Sequence, residues 1–264
     1  MTAVIQASFD DIRSRHIRLL HEASKLGPVT VVLPSDSAVR AITGHDPKFP
    51  QEERVYLINS IRYVSKVAIA DRPQDEPLSP GACLVEDARV ALPDREEWCR
   101  SRRVAHRVLG DAELAGFPPP SDILPPSSRK KVIVTGCFDW FHSGHVAFFE
   151  EVSRLGDLIV SVGNDRAITG LKGKGHPMLP QEERVYAVGS VRHVALAIIS
   201  SGMGHLDAEP EIQRIRPDIL AVNEDGDRPE KRALCAKLGI EYRVLKRIPH
   251  PGLPPRESTK LRGF

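Results

Sequence analysis

The chain has 264 residues, with 37 basic against 35 acidic side chains and a formal net charge of +2. Hydrophobic residues make up 41% and charged residues 27%, the profile of one large or two ordinary globular domains and not of a disordered tail. The near balance of charge argues against a basic nucleic-acid face. The longest clean apolar stretch, 194–199, falls far short of the roughly 20 residues of a membrane helix. Charged residues come too early at the N-terminus for a signal peptide. Cys83, Cys99, Cys137 and Cys235 form no C-x-x-C pair and read as reduced thiols. A cytoplasmic location without membrane or nucleic-acid partners is the expectation.

In chain order, five of the 22 prolines fall within 116–128 (GFPPPSDILPPSS), a stretch that cannot continue a helix or a central strand. It divides the chain into a first domain of 1–117, a linker of 118–129 and a second domain of 130–264. In the second half the pattern predicts strands at 131–135, 157–162, 192–199, 219–222 and 242–245. Helices are predicted at 142–155, 181–192, 208–215 and 229–238. Short apolar strands alternating with helices imply an α/β fold, a parallel sheet covered on both faces. Its ligands should sit beyond the carboxyl ends of the strands.

The halves resemble each other. At a constant offset, Phe9 matches Phe138, Asp10 matches Asp139, His16 matches His145, Gly27 matches Gly156 and Asp36 matches Asp165. AITG recurs at 41–44 and 167–170, and PQEERVY recurs unchanged at 50–56 and 180–186. Colinear matches of this extent point to an internal duplication, hence two tandem lobes.

The chemistry gathers after the strand at 131–135, in Gly136-Cys137-Phe138-Asp139-Trp140-Phe141-His142-Ser143-Gly144-His145. A helix beginning there offers unpaired N–H groups and a positive dipole end, which attract phosphate. His142 and His145 share one face of its first turn, and Gly144 leaves room for close approach to the backbone. By itself H-x-x-H reads as two half-exposed histidines or part of a zinc site about as easily as it reads as a phosphate site, although no third metal ligand presents itself.

GCFDWFHSGH resembles the first signature of the cytidylyltransferase-like (HxGH) nucleotidyltransferases. Gly163-Asn164-Asp165 and the loop Gly170-Leu171-Lys172-Gly173-Lys174-Gly175 are similar to the lysine-bearing segment of glycerol-3-phosphate cytidylyltransferases and heptose-phosphate adenylyltransferases. Pro180 to Arg184 and Ser190 to Arg192 resemble the arginine-bearing helix that follows. Arg256-Glu257-Ser258-Thr259-Lys260 stands where the family has its closing hydroxyl motif, with Glu257 and Lys260 atypical. The resemblance covers 130–264 and implies two Rossmann-like lobes and transfer of a nucleotidyl group, CMP from CTP favoured over AMP from ATP. The acceptor would be a phosphorylated sugar, polyol or amino alcohol, and pyrophosphate would leave. It further implies that His142 and His145 stabilise the phosphates, with Lys172 and Lys174 clamping them from a mobile loop. Gly136, Cys137, Phe138, Asp139, Gly144, Asp165, Asn223, Arg256, Ser258 and Thr259 would line the nucleotide site. Arg184 and Arg192 would grip a phosphate of the acceptor or of the triphosphate, and Mg2+ would come with the triphosphate rather than in a protein cage. A noncatalytic nucleotide sensor is the alternative of another class; a truncated tRNA synthetase is disfavoured because no anticodon-binding module is left over.

The first half lacks the phosphate ligands. Arg13-Ser14-Arg15-His16 replaces His142-Ser143-Gly144-His145, His45 to Lys48 replaces the glycine–lysine loop, and Pro120 to Ile123 replaces Arg256 to Thr259. Residues 1–117 therefore read as a noncatalytic copy, comparable to the tandem lobes of ethanolamine-phosphate cytidylyltransferases but with the active lobe second. The expectation is an intrachain pseudo-dimer, and possibly a homodimer, in which a 130–264 fragment alone would be poorly soluble.

Overall fold

A computed structural model describes residues 1–73, 78–118, 121, 123–258 and 261. The chain separates into two compact units, Met1–Gly116 and Phe117–Phe264. Unit one contains β1 (Ala3–Gln6), α1 (Ser14–Ser24), β2 (Val29–Pro34), α2 (Asp36–Thr43), α3 (Gln51–Ser60), β3 (Val64–Ala70), β4 (Cys83–Asp87), α4 (Arg95–Ser101), β5 (Ala105–Leu109) and α5 (Asp111–Leu114). Unit two contains β6 (Lys131–Gly136), α6 (Ser143–Ser153), β7 (Asp157–Val162), α7 (Asp165–Lys172), α8 (Gln181–Gly189), β8 (Val194–Ile199), α9 (Glu209–Ile215), β9 (Ile219–Asn223), α10 (Pro229–Leu238) and β10 (Glu241–Leu245). Each unit is Rossmann-like, with a five-stranded sheet, ordered β3-β2-β1-β4-β5 in the first and β10-β9-β6-β7-β8 in the second. All strand pairs are parallel.

In unit two, alternation along β6 sends Val132 and Val134 into one core with Phe149, Val185 and Val188. Ile133 enters a second core with Ile159, Ile212 and Leu234. Period-two alternation thus buries both sheet faces, one under α6 and α8 and the other under α9 and α10. Unit one has no helix between β3 and β4 among the described residues, and β3 is correspondingly half exposed, with Ile69 at 41%.

The predicted elements of unit two are present, with helix ends a few residues shorter. One was not foreseen: α7 spans Asp165–Lys172, so Lys172 ends a helix and does not ride on a free loop. Asn164 caps it by accepting from Ala167 N–H at 2.8 Å, a start signal visible as Asn-Asp before an apolar pair. The proline-rich segment is not a free connector throughout, since Leu124 packs on the second core and the Phe117 ring lies 5.7 Å from Tyr186. No helix among the described residues is long and apolar enough to cross a membrane.

Candidate active site

β6 pairs with β7 on one side and β9 on the other, so the chain reverses direction across the sheet at the carboxyl end of β6. A crevice opens at such a switch point. Here it is a cavity of about 510 Å³ lined by residues from the ends of β6 and β9, the start of α6, the end of α7 and the 247–258 segment.

The histidines lie at the start of α6. His142 is the N-cap, its Nδ1 accepting from Gly144 N–H at 3.1 Å. Accepting there fixes the tautomer with the proton on Nε2, and buried Nε2 has no hydrogen-bond partner. The His145 ring stacks on His142 with centroids 3.9 Å apart, is bounded by Phe138 and Phe141, and leaves its own Nδ1 without a partner. Burial, reinforced by the cations of Arg247 and Arg256, pushes the His142 imidazole down to about 3. His145 is held well below its usual range, first by burial and then by His142, Arg247 and Lys172. Both rings are neutral at pH 7, with polar atoms lacking partners at a helix N-terminus.

Gly144 is required for a different reason from the one expected. A Cβ on it would meet the His142 ring at 3.0 Å, so the glycine makes room for the imidazole that caps the helix. Gly136 likewise admits the Phe138 ring, 2.7 Å from where its Cβ would stand.

Lys172, Cys137, Asp139, Asn223 and Ser258 line the cavity with Gly136, Phe138, Gly144 and His145. Asn223 Oδ1 is buried without a partner, and the Ser258 hydroxyl donates to the Trp140 carbonyl at 3.2 Å. Residues 254–257 are not helical, and Thr259 and Lys260 lie outside the described residues. Asp139 reaches back to the chain before α8, its Oδ1 accepting from Met178 and Leu179 N–H at 2.7 and 3.0 Å.

Several expected ligands stand elsewhere. Arg184 is fully buried and donates to the carbonyls of Leu179, Cys137 and Gly163 at 2.9, 2.6 and 2.7 Å, and to Asp165 at 2.6 Å. Its guanidinium is fully engaged by the fold, and Asp165 is its counter-ion. Arg54 repeats the arrangement in unit one, donating to Phe49, Ser8 and Pro34 carbonyls and to Asp36. Lys174 lies outside the cavity, in a separate cleft with Thr169, His176 and Pro180. Arg192 is exposed just before β8, at the amino-terminal edge of a parallel sheet and so opposite the cavity. Arg256 does not line the cavity; its carbonyl accepts from Arg247 at 2.8 Å and its charge acts on His142 from nearby.

Arg247, Asp207 and His205 also line the cavity and were not anticipated; Asp225, Arg228 and Lys231, within the stretch from Asn223 to Arg232, line it as well. Isolated polar residues in loops give no periodic signal. Only the convergence of strand ends in a parallel sheet identifies them.

The same edge of unit one is closed. Arg15, at the place of Gly144, forms a bidentate pair with Asp87, at the place of Asn223, at 2.5 and 2.7 Å. It also reaches Asp111 at 2.8 Å, and the hydrogen bond from Arg15 lowers the Asp87 carboxyl further than its other neighbours do. Where unit two leaves Asn223 Oδ1 unpaired, unit one holds an internal ion pair.

Neutral buried histidines make the pH dependence of folding predictable. An unfolded histidine titrates near 6.5, while folded His142 resists protonation until about 3. Between those values the unfolded chain binds more protons, so stability falls as pH drops, by up to about 1.4 kcal/mol per pH unit for each such group. A His142→Asn variant should therefore lose stability less steeply than the parent between pH 6.5 and 4, read as urea midpoints by tryptophan emission. Parallel curves would mean that His142 is protonated in the folded protein.

A nucleotide-binding α/β transferase site is defined by a switch-point cavity, a helix start with partnerless imidazoles and nearby cations. The cytidylyltransferase-like family model matches residues 133–262. FAD synthase of Ferroglobus placidus is 36% identical over 120 residues, 44% of this chain and 75% of that protein. FAD synthase of Methanopyrus kandleri is 33% identical over 137 residues, 49% of this chain and 87% of the relative. Bifunctional protein HldE of a Nitratiruptor species is 31% identical over 160 residues, 60% of this chain but only 33% of that protein. The chain belongs to the cytidylyltransferase-like family and is a nucleotidyltransferase.

Proposed function

We propose that unit two transfers an adenylyl group from ATP to a phosphorylated small molecule, releasing pyrophosphate, and that unit one is noncatalytic. What carries this reading is the pair of partnerless nitrogens, His142 Nε2 and His145 Nδ1, at the start of a helix bordering a cavity that also holds Lys172 and Arg247. An oxygen of the acceptor phosphate attacks the α-phosphorus and the bond to the pyrophosphate oxygen breaks, with no enzyme-bound intermediate. Catalysis is then positioning plus stabilisation of charge on the phosphate oxygens. Neutral imidazoles donate N–H to those oxygens, and the arriving anion favours their protonation as charge grows on the leaving group. Lys172, at the end of α7, neutralises phosphate from the β7 side, and Arg247 does so from the β9 side. Magnesium belongs to the substrate, bound to the triphosphate oxygens; no cluster of three His, Cys, Asp or Glu side chains suited to a metal occurs among the described residues.

The preference for CTP rested on the lysine segment and the Glu-Glu-Arg helix. Arg184 serves the fold in unit two as Arg54 does in unit one, and Lys174 lies apart, so neither residue separates CTP from ATP. Relatives that are FAD synthases tilt the choice to ATP. Pyrophosphate release measured with MgATP and MgCTP against a panel of phosphorylated acceptors tests this directly. Release with CTP alone would restore the cytidylyl reading, and nucleotide binding without release for any acceptor would favour a sensor.

The unit-one ion pair yields a second expectation. Calorimetry with MgATP should give one site per chain, because Arg15 and Asp87 occupy each other. Two equivalent sites would show that unit one binds nucleotide despite that pair.

A further inference from the structure

The cavity contains a half-buried cation, Lys231, that the transfer chemistry above does not use. Lys231, on the first turn of α10, donates from Nζ to Thr135 Oγ1 at 3.1 Å and to the Gly226 carbonyl at 3.4 Å. Two neutral acceptors hold the ammonium at the carboxyl end of β6 and leave its third N–H for the cavity that Lys231 lines. Among the described residues no carboxylate comes within the 4.0 Å of an ion pair. Asp207, which also lines the cavity, is turned to Ser200, accepting from its hydroxyl at 2.7 Å. Burial pushes the Lys231 ammonium down and the Asp207 carboxyl up, each partly offset by the other's charge, with Asp225 and Asp227 also acting on Lys231. A half-buried ammonium whose direct partners are both neutral gains from an anion that completes it in the cavity.

The walls around it offer little to a large aromatic acceptor. Among the described residues the phenyl rings lining the cavity are Phe138, tucked beneath His145, and Phe148 of α6. Toward β7 and β8 the lining is Ile168, Leu171, Lys172, Gly204, His205 and Asp207, in which the His205 imidazole is the single ring. The cavity, about 510 Å³, is moreover shared with the triphosphate.

We infer that Lys231 binds a second anionic group of the acceptor, remote from its reacting phosphate, and that the acceptor is a small hydroxylated compound with a carboxylate or second phosphate at that end. Asp207 accepts from a hydroxyl between the two. This rests on nucleotidyl transfer as the activity of the same site. Lys172 takes the reacting phosphate and Lys231 the far group, so the acceptor spans the end of β6 between α7 and α10.

Three probes separate the possibilities. 3-Phosphoglycerate and glycerol 3-phosphate share a skeleton and differ in a carboxylate against a hydroxymethyl group; glycerol 1,3-bisphosphate carries a phosphate there instead. Their binding to the full-length protein saturated with a nonhydrolysable MgATP analogue is measured by calorimetry, together with FMN. At least one of the two doubly anionic probes should bind tenfold or more tighter than glycerol 3-phosphate and FMN. The tighter of the two identifies the group. Lys231→Met should abolish that discrimination and Lys231→Arg should keep part of it, with retained analogue binding showing that each variant is folded. Equal affinities in the parent, discrimination surviving in Lys231→Met, or tight FMN binding would overturn the inference while leaving nucleotidyl transfer intact. A parent protein that fails to bind the analogue would overturn both.

Discussion

His145→Ala should lower the maximal rate of pyrophosphate release by about two to three orders of magnitude, the usual loss when one preorganised donor to a transition-state oxygen is removed. Nucleotide affinity should change far less, because charge on the phosphate oxygens is greatest in the transition state. His142 needs a different substitution. Its Nδ1 caps α6, so alanine there would also cost about 1 kcal/mol of helix stability. His142→Asn can keep the cap through its side-chain oxygen while removing Nε2. It should show the catalytic loss without the stability loss. His16, whose Nδ1 accepts from Arg13 N–H in unit one, should tolerate alanine with no change in rate. Near-normal turnover in either unit-two variant would remove the imidazoles from the chemistry.

What the sequence made legible follows from periodicity and spacing. The strands of unit two and its helices after β8 are visible because a parallel sheet buried on both faces needs continuous apolar runs. The histidine pair is visible because residues three apart share a helix face. Glycine-rich segments were harder to read: 170–175 reads as a loop because Gly170, Gly173 and Gly175 weaken a helix, yet α7 runs through Gly170 and stops at Gly173, whose φ is +85°. Arg184 and Asp165 stand in a setting that the sequence could not show. A buried arginine bonded to carbonyls and a phosphate-gripping arginine look identical in sequence, and only the backbone supplied by Cys137, Gly163 and Leu179 distinguishes them. The recurrence of PQEERVY contained the missing signal. A motif present in both units, whose arginine bonds backbone carbonyls in each, serves what both units share, which is the fold. Lys231 and Asp207 left no such trace, since each becomes meaningful only where β6 and β9 part.

Arg184→Met should therefore act on stability and not on substrate affinity. The variant removes a guanidinium that closes the loop before α8 onto the ends of β6 and β7, leaving carbonyls without donors and Asp165 without its partner. Lost charge-assisted bonds and orphaned acceptors of this kind cost about 3–5 kcal/mol, against a domain stability of only about 5–15 kcal/mol. Unit two should unfold at markedly lower urea concentration, and activity should disappear with the folded fraction while the KM of the remainder stays near the parent value. Arg54→Met provides the internal control. It breaks the same arrangement in unit one, so it should destabilise that unit by a similar amount without touching the cavity. Were Arg184 a phosphate ligand instead, its lysine variant would fold normally and raise KM for nucleotide or acceptor severalfold, whereas Arg54→Met would have no counterpart effect. Urea titration of the two methionine variants beside initial rates of Arg184→Lys separates these outcomes. A folded Arg184→Met protein with raised KM would return the arginine to the active site.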